Sequence, residues 1–127
     1  MRIALDTNAY SAGARGDEKA VALLRAAHQI ILPFVVLAEL RGGFAAGTIG
    51  RRNEARLAEF LASPRVTVAY ADEQTTHHYA AVFAQLRRQG TPIPTNDLWI
   101  AAIVLQHDLV LFTRDAHFSK LPQLATA

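Results

Sequence analysis

Apolar positions along the chain alternate between short unbroken runs and longer stretches at helical spacing. Residues 2–5 form a brief apolar run stopped by Asp6-Thr7-Asn8, types that favour turns and helix caps, which predicts a buried strand ending at Asp6. Residues 17–28 place Ala20, Leu23, Leu24 and Ala27 at helical steps with acids at the start, where the helix dipole favours them. A second strand follows over 29–32, and Pro33 opens a helix over 34–45, since first-turn amides need no partner within the helix. Beyond Gly47, an amphipathic helix over 49–62 turns Leu57, Phe60 and Leu61 inward and Arg51, Arg52 and Arg56 to solvent, ending at Ser63-Pro64. A third strand at 66–68 leads into a long helix at 72–89, with Tyr79, Val82, Phe83 and Leu86 on one face and Gly90 as its stop. After the loop Thr91-Pro92-Ile93-Pro94, Asn96 is placed to cap a helix over 97–106, and a fourth strand at 109–112 stops at Thr113-Arg114-Asp115. Residues 121–126 offer an edge strand.

Strands alternating with helices in this way predict one α/β domain over residues 1–127, a three-layer α/β/α arrangement around a parallel sheet. Open parallel sheets bind ligands at the carboxyl ends of strands where the strand order reverses, and Asp6 and Asp115 each fall just past such an end. The apolar stretches 30–38 and 98–105 are shorter than the roughly 18 residues a membrane-spanning helix needs. The first apolar run is also too short for a signal-peptide core, so the expected location is cytoplasmic. A composition of 51% hydrophobic and 19% charged residues excludes a disordered chain and leaves a thin charged surface for a partner to cover. No cysteine is present, so disulfides and zinc-thiolate sites are excluded and any metal must sit on oxygen or imidazole. The net charge of +2 decides little about nucleic acid, although the pI of 9.4 leans that way.

Four acids stand out by position: Asp6 after the first strand, Glu39 within the apolar run of the second helix-forming block, Asp97 at a helix start and Asp115 after the fourth strand. Taken singly, Asp6 is a turn cap and Asp97 and Asp115 are helix-start acids. Glu39 is harder to explain, because an ionised carboxylate among apolar groups is costly unless paired, and Arg41 is not on its helical face. The predicted fold brings all four to one end of the sheet. Converged carboxylates raise one another's pKa and are tolerable only with a cation, and hard oxygen ligands favour Mg²⁺ or Mn²⁺. Such a cation best supports phosphoryl transfer, which points to a nuclease or phosphatase.

The blocks Leu5-Asp6-Thr7-Asn8, the run around Glu39, Asn96-Asp97-Leu98-Trp99-Ile100-Ala101-Ala102 and Thr113-Arg114-Asp115-Ala116-His117-Phe118 together resemble PIN-domain ribonucleases, most closely the VapC-type toxins of toxin–antitoxin pairs. The resemblance spans essentially the whole chain. It implies that Asp6, Asp97 and Asp115 bind the metal, that Glu39 binds it or positions the attacking water, and that Thr7, Asn8, Asn96 and Thr113 orient these acids or the substrate phosphate. It further implies Mg²⁺- or Mn²⁺-dependent hydrolysis of single-stranded or looped RNA, often transfer or ribosomal RNA, a cognate antitoxin that blocks the site, and a homodimer. Some relatives carry another acid in the last block, where this chain has Ala116, His117 and Phe118, so one ion is expected. The alternatives are a catalytically silent RNA- or partner-binding module on the same fold, and a small phosphatase or DNA nuclease.

The remaining candidates are weaker. His28, His77, His78, His107 and His117 show no zinc-ligand spacing, and Ser11, Ser63 and Ser119 lack a nucleophile-elbow context. Gly42-Gly43 is followed by no phosphate-binding Lys-Ser/Thr pair. Among Arg51, Arg52, Arg56, Arg87, Arg88 and Arg114, the last, beside Asp115, is the best placed to meet RNA backbone. Trp99 and Ile100 are read as core; His117, close enough to Asp115 in sequence to touch a phosphate, is read in preference as solvent-facing.

Overall fold

A computed structural model describes all 127 residues, with strands β1 (Arg2–Leu5), β2 (Gln29–Pro33), β3 (Val66–Ala69), β4 (Val110–Phe112) and β5 (Ala125–Thr126). All pair in parallel, in the order β3-β2-β1-β4-β5. The helices are α1 (Thr7–Ala14), α2 (Glu18–Ala26), α3 (Phe34–Ala46), α4 (Gly50–Ala62), α5 (Glu73–Gln89) and α6 (Thr95–Gln106), with a 3₁₀ turn at Ala116–Lys120. Right-handed crossovers put α1 to α4 on one face as the chain steps outward from β1 to β3, and α5 and α6 on the other as it returns to β4. The three layers expected from the sequence are therefore observed.

The strand order reverses between β1 and β4. Their register pairs Leu5 with Phe112, so Asp6 and Thr113, the next residue of each strand, leave the sheet side by side. Ile3, Ala4, Leu5, Leu32, Leu111 and Phe112 are fully buried, as strands covered on both faces require. Helix α6 is buried on nearly every side, through Leu98 and Ile100 to Val104, which explains its continuous apolar run in place of a stripe. No helix is long and apolar enough to cross a membrane.

Three local features differ from the sequence-based expectation. Helix α1 occupies a stretch read only as a turn, because its inward residues Ala9, Tyr10 and Ala12 include short alanines that give a faint periodic signal. Gly13 on that helix leaves room for Leu24 of α2: a Cβ there would lie 2.6 Å from Leu24 Cδ1, and that side-chain end would have to shift. Asn96 does not cap α6. The helix starts at Thr95, with Pro94 at the cap position and its carbonyl accepting from the Leu98 amide at 3.1 Å, so Asn96 and Asp97 both lie in the first turn. The segment 121–126 contributes only two strand residues, because Leu121 and Leu124 turn into the core before it.

Helix α4 holds to the fold through one fully buried side chain, Leu57, supported at the surface by the exposed Arg41–Glu54 pair at 2.9 Å. Exposed ion pairs contribute little. Leu57→Ala should therefore cost about 3 kcal/mol in urea unfolding, with amide exchange accelerating first in α4; uniform loss of protection across the chain would contradict the local role.

Candidate active site

The cleft forms where β1 and β4 end. Asp6 leaves β1 and caps α1, its Oδ1 accepting from the Ala9 amide at 2.8 Å, and it is only 5% exposed. Its second oxygen, Oδ2, accepts a short hydrogen bond from the Thr113 hydroxyl, the first side chain after β4. The same Thr113 oxygen accepts from the Asp115 amide at 3.0 Å. One hydroxyl thus joins the ends of both strands and fixes where the Asp115 side chain starts. Asp115 Oδ1 accepts from the His117 amide at 2.9 Å, capping the 3₁₀ turn and presenting the His117 ring to the cleft.

Asp97 enters from the opposite layer on the first turn of α6, where free helix amides favour a carboxylate. Its Oδ2 lies 2.8 Å from His117 Nδ1, which is also 3.2 Å from Asp115 Oδ1. Asp97, Asp115 and His117 each offer a ligand atom, all within 4.8 Å of one another, a spacing one cation can span. Glu39 comes from α3. Its sequence neighbours Val35, Val36, Leu37 and Leu40 pack inward, whereas Glu39 itself is exposed and accepts from the Thr7 hydroxyl at 2.9 Å, so the burial its sequence context suggests is absent.

Asp6, Glu39, Asp97 and Asp115 line one pocket of about 150 Å³ together with Thr7, Asn8 and Ile100. Of these, Glu39, Asp97 and Asp115 also border a neighbouring cleft of about 450 Å³, whose other walls are Pro94, Thr95, Asn96 and His117. Burial pushes the Asp6 carboxyl above the ordinary carboxylate range, against the pull of the bonds from Thr113 and Ala9, and the charges of Asp115 and Glu39 push it further. Burial likewise raises Asp97, with the His117 bond opposing and Asp115 and Glu39 adding to the rise. A set of carboxylate oxygens with one imidazole nitrogen beside them, at the end of a sheet, suits a hard or borderline divalent cation such as Mg²⁺ or Mn²⁺.

The structure therefore gathers eight of the nine residues singled out from the sequence: the four acids with Thr7, Asn8, Asn96 and Thr113. Arg114 is the exception. Its guanidinium pairs in bidentate fashion with Asp17, the cap of α2, at 2.7 and 3.1 Å, and lies over the Phe112 ring, away from the cleft. That bond from Arg114 holds the Asp17 carboxyl down to about 2. His117, read from the sequence as a surface residue, faces both Asp97 and Asp115. The legible signal was its place two residues after Asp115, where an N-cap turn brings its ring back over the cap.

A PIN domain family model matches residues 3–124. The chain is 36% identical over 97 residues to Ribonuclease VapC1 of Haemophilus influenzae, covering 76% of this chain and 71% of that protein. It superposes on VapBC-1 from nontypeable Haemophilus influenzae with a TM-score of 0.86 at 28% identity, covering 100% of this chain and 97% of the other. VapBC-5 of Mycobacterium tuberculosis, a member of the VapBC family of toxin-antitoxin systems, superposes at 0.76 with 26% identity, over 100% and 97% of the two chains. The chain belongs to the PIN-domain family and is a VapC-type member of it.

Proposed function

We propose that the chain is an endoribonuclease that hydrolyses RNA phosphodiester bonds with the help of one Mg²⁺ or Mn²⁺ ion. The observation that carries this reading is the meeting of four carboxylates from four separate elements on one pocket, two of them held above the ordinary carboxylate range by burial and mutual repulsion. The residues that would hold the ion are Asp6, Asp97 and Asp115, with the His117 ring beside the last two. Once bound, a divalent ion supplies charge stabilisation at the phosphate and a water acidic enough to attack it.

The chain's own groups do the rest. Thr113 and the Ala9 amide fix the Asp6 oxygens, so that carboxylate needs no rearrangement on binding. Glu39, tethered by Thr7 and open to solvent, orients the attacking water and takes its proton. Asn8 and Asn96 are exposed on the cleft and donate to phosphate oxygens. Attack at phosphorus with the 3′-oxygen leaving gives a product that keeps its 5′-phosphate. The names of the relatives support RNA as substrate and toxin as role; transfer or ribosomal RNA as the target class is carried only by the family resemblance. The VapBC complexes among the structural neighbours support a cognate antitoxin as partner, and the family resemblance adds a second copy of the chain. The antitoxin would cover apolar surface at the end of α3, where Phe44, Ile49 and Tyr10 border an open groove, and reach the acidic cleft with a basic side chain.

Metal binding is testable without activity. In the metal-free chain, Asp6 and Asp97 have folded pKa values above their unfolded ones, so the folded state binds more protons and stability falls as pH rises through that window. At pH 7, Mn²⁺ at about 100 times its Kd should stabilise the chain by about 2.7 kcal/mol, a rise in Tm of roughly 10 °C, and the rise should fade as pH approaches 4. Metal-free Asp97→Asn should melt above the metal-free wild type at pH 7, converge with it in acid, and respond weakly to Mn²⁺.

Cleavage supplies the second test. Asp97→Asn should lower RNA cleavage by roughly a hundredfold or more, with RNA affinity unchanged or tighter, and EDTA should abolish wild-type cleavage. A variant as active as the wild type would remove the nuclease reading; cleavage of DNA or phosphomonoesters in preference to RNA would reassign it.

A further inference from the structure

His117 borders the cleft with no task in the hydrolysis described above, and the fold does not need it either. The 3₁₀ turn that carries it is anchored by Phe118 and Leu121, each 1% exposed, and is capped by Asp115. The His117 side chain stays 40% exposed, yet its ring is not turned away from the acids. Nδ1 sits 2.8 Å from Asp97 Oδ2 and 3.2 Å from Asp115 Oδ1, two oxygens that arrive on different elements. Nε2 has no hydrogen-bond partner within the chain. The ring proton is therefore free to sit on Nε2, which leaves the Nδ1 lone pair facing both carboxylates.

The spacing of these atoms is that of a coordination face. Adjacent ligands of an octahedral ion, each at about 2.1 Å from it, stand about 3 Å apart. Nδ1 meets that spacing to both oxygens at once, and the three atoms all lie within 4.8 Å of one another. A single N–H, by contrast, points well at only one acceptor. No protein cation competes for the position: the residues lining the two clefts include neither lysine nor arginine, and Arg114 is engaged by Asp17. An imidazole also changes which ion the site prefers. It ligates as a neutral group, so it adds a donor without adding charge. Nitrogen donors favour first-row transition ions, whereas Mg²⁺ favours carboxylate and water oxygens.

We propose that His117 Nδ1 is a direct ligand of the ion, beside Asp97 and Asp115, and that this nitrogen tilts the site towards Mn²⁺ over Mg²⁺. The inference rests on the metal-dependent reading above and specifies the ion that the site selects.

The test uses the purified full chain, stripped with EDTA and reloaded with manganese or magnesium chloride alone, with no RNA present. Circular dichroism verifies that each variant folds. Pulsed electron paramagnetic resonance of the Mn²⁺-loaded wild type should show coupling between the ion and a nitrogen nucleus, and His117→Ala should lose it. In calorimetric titrations His117→Ala should weaken Mn²⁺ binding by roughly tenfold or more, while Mg²⁺ binding stays within about threefold of wild type. His117→Gln, which keeps a polar side chain without the ring, should lose the coupling in the same way. Equal weakening of both ions, which loss of a merely structural contact would produce, overturns the proposal. So does a Mn²⁺ complex without nitrogen coupling, or one whose coupling survives both substitutions. In each of those cases an ion still binds and the nuclease reading stands, whereas a wild type that binds neither ion removes both.

Discussion

The hydrogen bond from the Thr113 hydroxyl to the buried Asp6 carboxylate is the contact on which the site depends. Parallel pairing of β1 with β4 brings two strand ends together, but it does not say where the side chains beyond them go. Thr113 supplies that information by donating to Asp6 while accepting from the Asp115 amide, so the positions of two acids more than a hundred residues apart in sequence are set by one oxygen. Asp97 is brought in by a different device, the first turn of a helix buried along most of its length. A helix that cannot shift without opening the core holds its leading carboxylate firmly. Glu39 is exposed and held at its tip by the Thr7 hydroxyl, which suits the water-orienting role proposed for it.

Gathering these charges is unfavourable for the metal-free fold. Burial of Asp6 and Asp97 and the fields of Asp115 and Glu39 all act against ionisation, and the hydrogen bonds from Thr113, Ala9 and His117 offset only part of that. Elsewhere the molecule treats carboxylates in the ordinary way. Asp17 and Asp72 both cap helices, and both are held below the usual range by hydrogen bonds. The contrast separates structural acids, stabilised where they are, from acids the fold holds in a conflict that a cation would resolve.

Much of this was legible in the sequence because a parallel sheet buried on both faces leaves unbroken apolar runs, and β1, β2 and β4 are such runs. Asp6 was legible for the same reason, as the first polar residue after β1, and Asp115 as the acid in the polar stop Thr113-Arg114-Asp115 after β4. What the sequence hid is what depends on pairwise geometry. Helix α1 packs through alanines and a glycine whose missing Cβ admits Leu24, and neither leaves a strong periodic pattern. Arg114 sits next to Asp115 in sequence, yet a strand end projects successive side chains in opposite directions, and it reaches Asp17. His117 was hidden for the converse reason: the tight turn capped by Asp115 brings back a side chain that an extended reading sends to solvent. Glu39 was recognised by its position, but its exposure was not, since an apolar run on a helix does not reveal which residue within it faces out.

Helix α6 ties the two faces of the molecule together. Its first turn supplies Asp97 to the cleft, Trp99 on its next turn meets Tyr79 of α5, and the loop before it forms one wall of a groove beside Phe83. Close packing makes such a helix move as a unit or not at all. The position of Asp97 is then set by the packing of one rigid element, so a change that opened the core around α6 would displace the acid along with the helix.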